Sequence, residues 1–118
     1  TELGAGITVV LSSDSDVASY RPLDTIQAAV TRRTLEGAAI GPDEALTVEQ
    51  AVRAHTISAA YALFAEDSLG SIEVGKLADL AVIDGDLFAT SAEEIAALEV
   101  WMTVLEGAIV HARDERGR

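Results

Sequence analysis

Apolar and polar positions come in blocks along the chain, and their period changes from one block to the next. Residues 7–11 (Ile, Thr, Val, Val, Leu) form a short β-branched run led in by Gly4 and Gly6, which predicts a buried strand. Polar residues take over at Ser12, and 14–20 reads as a loop. Pro22 suits the first turn of a helix. Leu23, Ile26 and Val30 follow at helical spacing, so the helix is expected to run to about Leu35, with Gly37 to Pro42 breaking it. Thr47-Val48-Glu49-Gln50 has the form of a capping box. The helix it opens carries Val48, Ala51, Val52, Ala59, Leu63 and Phe64 and is expected to end near Ala65. After Asp67 the texture changes. "LGSIEVGKLADLAVIDGD" sets turn glycines between short apolar runs and predicts strands at 71–74 and 80–83. Ser91-Ala92-Glu93-Glu94 repeats the capping-box pattern and opens a short helix to about Leu98. "VWMTVLEGAIVHA" predicts a hairpin turning on Glu106-Gly107, in which Val104 faces Ile109 and Thr103 faces Val110. The terminal "RDERGR" is a solvated tail.

A length of 118 residues suits one domain or part of one. With 49% apolar residues the chain can build a core, and with 4% aromatics that core must be Ala, Val, Leu and Ile. Twenty acids against eight bases give a net charge of -12, which argues against nucleic acid and against an anionic membrane face as partners. Solubility is the simplest meaning of that charge. There is no cysteine, hence no disulfide and no thiolate metal site. No apolar run approaches the roughly 20 residues of a membrane span, and no signal peptide is visible, so a cytoplasmic location is expected. The first residue is Thr1 rather than methionine, which fits a piece of something longer.

Chemistry gathers at two places. Asp14 and Asp16 stand at the tip of the apolar run. Two acids there suit a solvated loop, and they equally suit the mouth of an active site. As a nucleophile and its acid partner, with Asp84 and Asp86 as magnesium acids, they would resemble haloacid-dehalogenase-like phosphatases. However, Ala18 stands where those enzymes have Thr or Val, and no matching lysine or helical cap can be located. The second place is more specific. "GSIEVGKLADLAVIDGD", residues 70–86, resembles the G-x-I-x-x-G-K-x-A-D-L-x-V-x-D signature near the C-terminus of metal-dependent amidohydrolases. Gly75 permits a tight turn, Lys76 is expected to stay solvated, and 80–83 to pack into a small sheet. The signature is structural and carries no catalytic group. "HTISAAYALFAEDSLGSIE" resembles the helix preceding it, "AAVTRRT" is similar to the YtcJ-like branch, amidohydrolase family 3, and "SAEEIAALEVWMTVLEGAIVHA" matches the closing helix and hairpin. The resemblance covers nearly the whole chain.

The resemblance implies an α/β fold: the C-terminal fragment of a TIM barrel plus strands of its small β-sandwich. Residues 1–68 would be the last barrel strand and following helices, 69–113 sandwich strands with a short helix, and 114–118 the tail. Ser13-Asp14-Ser15-Asp16-Val17 lies on the family's S-D-x-P-V segment, which makes Asp14 the counterpart of the strand-eight aspartate. That residue takes the proton of a metal-bound water and often touches the metal, so Asp14 is the candidate for both the catalytic and the metal role. Asp16 replaces the usual proline, which loosens the loop and adds a charge. The family's metals need an early H-x-H pair, usually a bridging acid or modified lysine, and two later histidines. Here only His55 and His111 occur, neither at a ligand position, and one aspartate cannot hold a catalytic metal. The resemblance therefore implies a divalent metal, zinc, in an intact parent but none for the segment alone. It implies a hydrolase of amide or formamide C–N bonds, a small-molecule substrate, and the rest of the amidohydrolase chain as partner. By itself the segment is expected to be inactive, and to self-associate or partly unfold. The rival reading is a self-standing, non-catalytic binding or assembly module on the same scaffold.

Overall fold

The computed structural model describes residues 3–15, 17–34 and 36–113. Thr1, Glu2, Asp16, Leu35 and the tail at 114–118 lie outside the described residues. In chain order the elements are α1 (Pro22–Thr31), α2 (Val48–His55), α3 (Ile57–Ala62), β1 (Leu80–Ile83), β2 (Val100–Leu105) and β3 (Ala108–Ala112), with 3-10 turns at Leu3–Ala5, Pro42–Glu44 and Ala92–Ala97. No described helix is long and apolar enough to cross a membrane.

Helix α1 starts at Pro22 as its sequence requires, but ends at Thr31 rather than near Leu35. Arg32 adopts left-handed φ/ψ (50°, 42°) and donates its amide to Ala28 O, which closes the helix. The capping box of α2 is formed: Gln50 N donates to Thr47 Oγ1 (3.1 Å) and Thr47 N to Gln50 Oε1 (2.9 Å). The single helix expected to Ala65 is broken at Thr56 (φ -119°, ψ -95°). There the Thr56 hydroxyl donates back to Val52 O and its amide to Arg53 O, so the last turn tightens and α3 starts afresh. Leu63 and Phe64, expected on the apolar face, are 73% and 93% exposed. Phe64 sits at φ 57°, with Phe64 N donating to Tyr61 O and Ala65 N to Ala60 O, the double closure of a helix C-terminus.

Residues 7–11 have no regular secondary structure and enter no strand ladder among the described residues, and Ile7 is 55% exposed. A strand needs a neighbour, and the described sheet lies elsewhere: β1, β2 and β3 in that order, all antiparallel. The segment is instead tied to α2, with Leu11 N donating to Ala54 O (3.3 Å). Residues 71–74 form no strand: the chain is irregular here and turns at Val74 and Gly75, with Lys76 N returning to Glu73 O and Leu77 N to Ser68 O. The hairpin turns on Glu106 (φ 49°) and Gly107 (φ 82°), both left-handed as a tight hairpin turn demands. Val104 faces Ile109 as expected, but a shift between Thr103 and Val104 pairs Thr103 with His111 and leaves Val110 as the extra residue.

The core joins Leu23, Ile26 and Ala29 of α1 to Ala51 of α2, Leu87 and Ile95, so it draws on both the 1–68 and the 69–113 parts. Ile95 is fully buried in the Ala92–Ala97 turn. This helix is 3-10, and its expected capping box is not made: the Ser91 hydroxyl bonds the Glu94 carboxylate and caps no amide.

Gly70 (φ 86°) lies against α3, and a Cβ there would stand 2.8 Å from both Ala60 Cβ and Ile57 Cα. Gly75 (φ 97°) has the same handedness with nothing near it. Gly75→Ala should therefore cost only backbone strain, about 1–2 kcal/mol. Gly70→Ala adds an overpacking cost of about 1–3 kcal/mol. Urea unfolding of the two variants, with Gly70→Ala the less stable, checks this.

Candidate functional site

Asp14 follows the apolar segment at φ 50°, a left-handed conformation that Asp tolerates better than most residues. Its amide donates to Ser12 Oγ (3.2 Å) and its carbonyl accepts from Val17 N (2.9 Å), which makes a turn at the tip. The residue is exposed, and its carboxylate makes no hydrogen bond or ion pair with the described residues. Asp14 is thus presented to the outside by a bent backbone. Asp16, two residues on, lies outside the described residues.

The loop leaves through Arg21. Its amide donates to Ser19 Oγ, its Nη2 to Ala96 O (3.1 Å) and Leu98 O (3.3 Å), and its Nη1 pairs with Asp24 Oδ1 (3.3 Å). The accepting carbonyls are at the end of the Ala92–Ala97 turn, where helical carbonyls lack partners and carry partial negative charge. Gln27 adds a second tie, its Oε1 accepting from Ala96 N (2.8 Å). The partners of Arg21 are 75 and 77 residues away in sequence and that of Gln27 is 69, so no local pattern announces these ties.

The glycine and lysine signature holds backbone together. Lys76 is not solvated: its side chain is 11% exposed. Its Nζ donates to Ser71 Oγ (2.6 Å) and Leu69 O (3.3 Å) and pairs with Glu73 Oε2 (3.3 Å). Asp79 Oδ1 accepts from Glu106 N (2.7 Å), and Asp84 Oδ1 from Glu99 N (2.9 Å). Asp86 Oδ1 accepts from the amides of Phe88 and Ala89. Asp84 and Asp86 are therefore engaged as backbone caps, which speaks against the magnesium-acid alternative.

His55 ends α2, half-buried, and its Nε2 is buried without a hydrogen-bond partner. His111 is exposed on β3. Among the described residues no three His, Asp or Glu side chains are placed to share a metal ion. A catalytic zinc takes three protein ligands, so these residues do not fit a metal site of their own. An open cavity of about 280 Å³ lies between Leu11, α1 and Ile40, with Arg32 and Arg33 among its walls, and Asp14 does not line it.

Residues 2–111 match a model of the amidohydrolase family, and the chain belongs to that family. The N-substituted formamide deformylase of Arthrobacter pascens is 39% identical over 111 residues, 94% of this chain and 20% of that protein. The amidohydrolase YtcJ of Bacillus subtilis (strain 168) is 33% identical over 116 residues, 96% of this chain and 22% of its own. In structure, an amidohydrolase from Thermotoga maritima MSB8 is similar over 94% of this chain and 24% of its own, with a TM-score of 0.66 and 25% identity. The chain spans about a fifth of the length of the curated relatives it matches.

Burial lowers the His55 pKa below its ordinary 6.5. The unfolded chain then binds the proton more readily than the folded one. The contribution is fully present above pH 6.5 and is lost as pH falls below it. Unfolding midpoints should be level between about pH 8 and 7 and drop from about 6.5 to 5.5. His55→Phe should flatten that drop, as thermal melts across the range would record.

Proposed function

We propose that the chain is the closing segment of a longer hydrolase that cleaves the C–N bond of amides or N-substituted formamides, with Asp14 as its proton acceptor. The observation that carries this is the placement of Asp14: exposed, left-handed, without an ion pair among the described residues, and three residues beyond Leu11, which is fixed on Ala54. The kinship to a formamide deformylase supports the substrate class. In such a reaction the Asp14 carboxylate takes a proton from the attacking water as its oxygen bonds the carbonyl carbon. The same proton passes to the leaving nitrogen as the C–N bond breaks, giving an amine and a carboxylic acid. The described residues supply Asp14 alone toward a metal site, so the divalent ion that the family resemblance implies, zinc, would have its other ligands elsewhere in the longer protein.

On this reading residues 7–11 are the last strand of a barrel whose neighbours belong to the remainder of that protein, and 80–112 contribute to a small sandwich. The exposed Ile7 and Val10 and the exposure of every residue of β3 support it. Separated from the remainder, the segment would self-associate through 7–11 or stay partly unfolded, because bare strand edges and apolar faces recruit partners. A cytoplasmic location belongs to the same proposal. The rival, a non-catalytic module, draws on the lack of a metal-ligand group among the described residues.

The 118-residue chain alone should not turn over an N-substituted formamide with or without added zinc. Chelator-sensitive turnover by it would overturn the segment reading. In the longer protein Asp14→Asn keeps shape but removes the proton acceptor, and should lower kcat by about 10² to 10⁴. A kcat within threefold of wild type would favour the module.

A further inference from the structure

We infer that Arg21 is a positioning residue for Asp14: it latches the exit of the Asp14 turn to the end of the Ala92–Ala97 helix and so sets where the carboxylate points. This rests on the proton-acceptor role proposed for Asp14.

Within this segment packing does not shape the turn, since every described residue from Asp14 to Arg21 is exposed. Among its described residues the backbone offers the Val17 N to Asp14 O bond and an isolated bridge between Ser15 and Ala18. Its shape must therefore come from its two ends. The entry is held where Leu11, packed against the core, donates to Ala54 O. The exit is held by the Arg21 fork, which spans Ala96 O and Leu98 O while Asp24 steadies the other guanidinium nitrogen. These acceptors directly follow Ile95, which is fully buried, and Gln27 holds the amide of Ala96, so the latch closes on a fixed point. Asp14 needs this restraint because left-handed φ is an uncommon state for a residue with a side chain. Slack at the exit lets the turn relax to ordinary backbone and swings the carboxylate away. Nη2 holds both carbonyls while Nη1 holds Asp24 on the same rigid, planar guanidinium, whereas the donors of a lysine ammonium rotate on a flexible stem and fix no such plane.

The test compares Arg21→Ala, Arg21→Lys, Asp14→Asn and the Asp14→Asn/Arg21→Ala double variant in the longer protein, with amide hydrogen exchange alongside. Misplacing a reacting group by about 1 Å costs up to about 100-fold, so Arg21→Ala should lower kcat about tenfold, with KM within twofold. Arg21→Lys should recover part of the loss. The double variant should be no slower than Asp14→Asn alone, because Arg21 acts only through Asp14. The Val17 amide should exchange faster in Arg21→Ala while those of α2 and α3 stay unchanged. Losses that multiply in the double variant, faster exchange throughout the core, or a kcat within twofold of wild type for Arg21→Ala would each overturn the latch. If Asp14→Asn itself stays within threefold of wild type, the proton-acceptor reading fails, and the positioning role fails with it. A slow Asp14→Asn beside an unimpaired Arg21→Ala removes the latch alone.

Discussion

The burial of Ile95 is the contact on which the rest of the arrangement depends. It brings the Ala92–Ala97 turn into the same cluster as Leu23, Ile26 and Ala29 of α1. Helix α1 also meets α2 through that cluster, in which Ala51 is fully buried. Small side chains at 29 and 51 let the helices approach closely, a packing available to a sequence with few aromatics. Burying one isoleucine removes about 1.5–3 kcal/mol of apolar exposure, a large share of a small domain's margin. Arg21 and Gln27 then add polar ties at the same contact, whose geometry the apolar cluster has already set.

The family signature acts chiefly on backbone. Left-handed Gly70 lets the chain lie against α3, and Lys76 satisfies a carbonyl and a hydroxyl within the turn that follows. Asp79 and Asp84 accept amides from the two ends of β2's surroundings, at Glu106 and Glu99. Arg113 closes the second of these, pairing with Glu99 (2.6 Å) and Asp84 (3.5 Å). An unpaired backbone amide is costly when removed from water, so carboxylates in such places serve architecture before chemistry.

What was legible in the sequence is what local chemistry decides. Thr47 and Gln50 announce their capping box, and Glu106-Gly107 its turn, because donor and acceptor lie within a few residues. The signature was legible as a pattern, and with it the family. Illegible features are those that the path of a loop or a distant partner decides. Residues 71–74 look like a strand, but Leu77 bonds back to Ser68 and makes a turn. Lys76 looks solvated, but Ser71 and Glu73 enclose it. The end of α1 at Arg32 is set by the bond from Ile40 N to Arg32 O as much as by propensity. For the candidate site, the identity of Asp14 was legible, while its handedness and the Arg21 anchor were not. The apolar run at 7–11 was legible too, yet an isolated strand cannot show with whom it pairs.

The tip of the β2–β3 hairpin is sewn to the residues just before β1: Glu106 N to Asp79 Oδ1, and Gly107 N to Ala78 O. This has a consequence for the order of assembly. A two-residue hairpin closes in about 1–10 μs from contacts between near neighbours. β1 must search across the intervening segment, at a closure cost that grows only with the logarithm of its length. The hairpin therefore forms as the template and β1 docks onto it, guided at its outer end by two bonds that exist only once the turn has formed. Length changes between β1 and β2 should be absorbed cheaply by this order of events, whereas a change of register at the turn would propagate through every pair in the sheet.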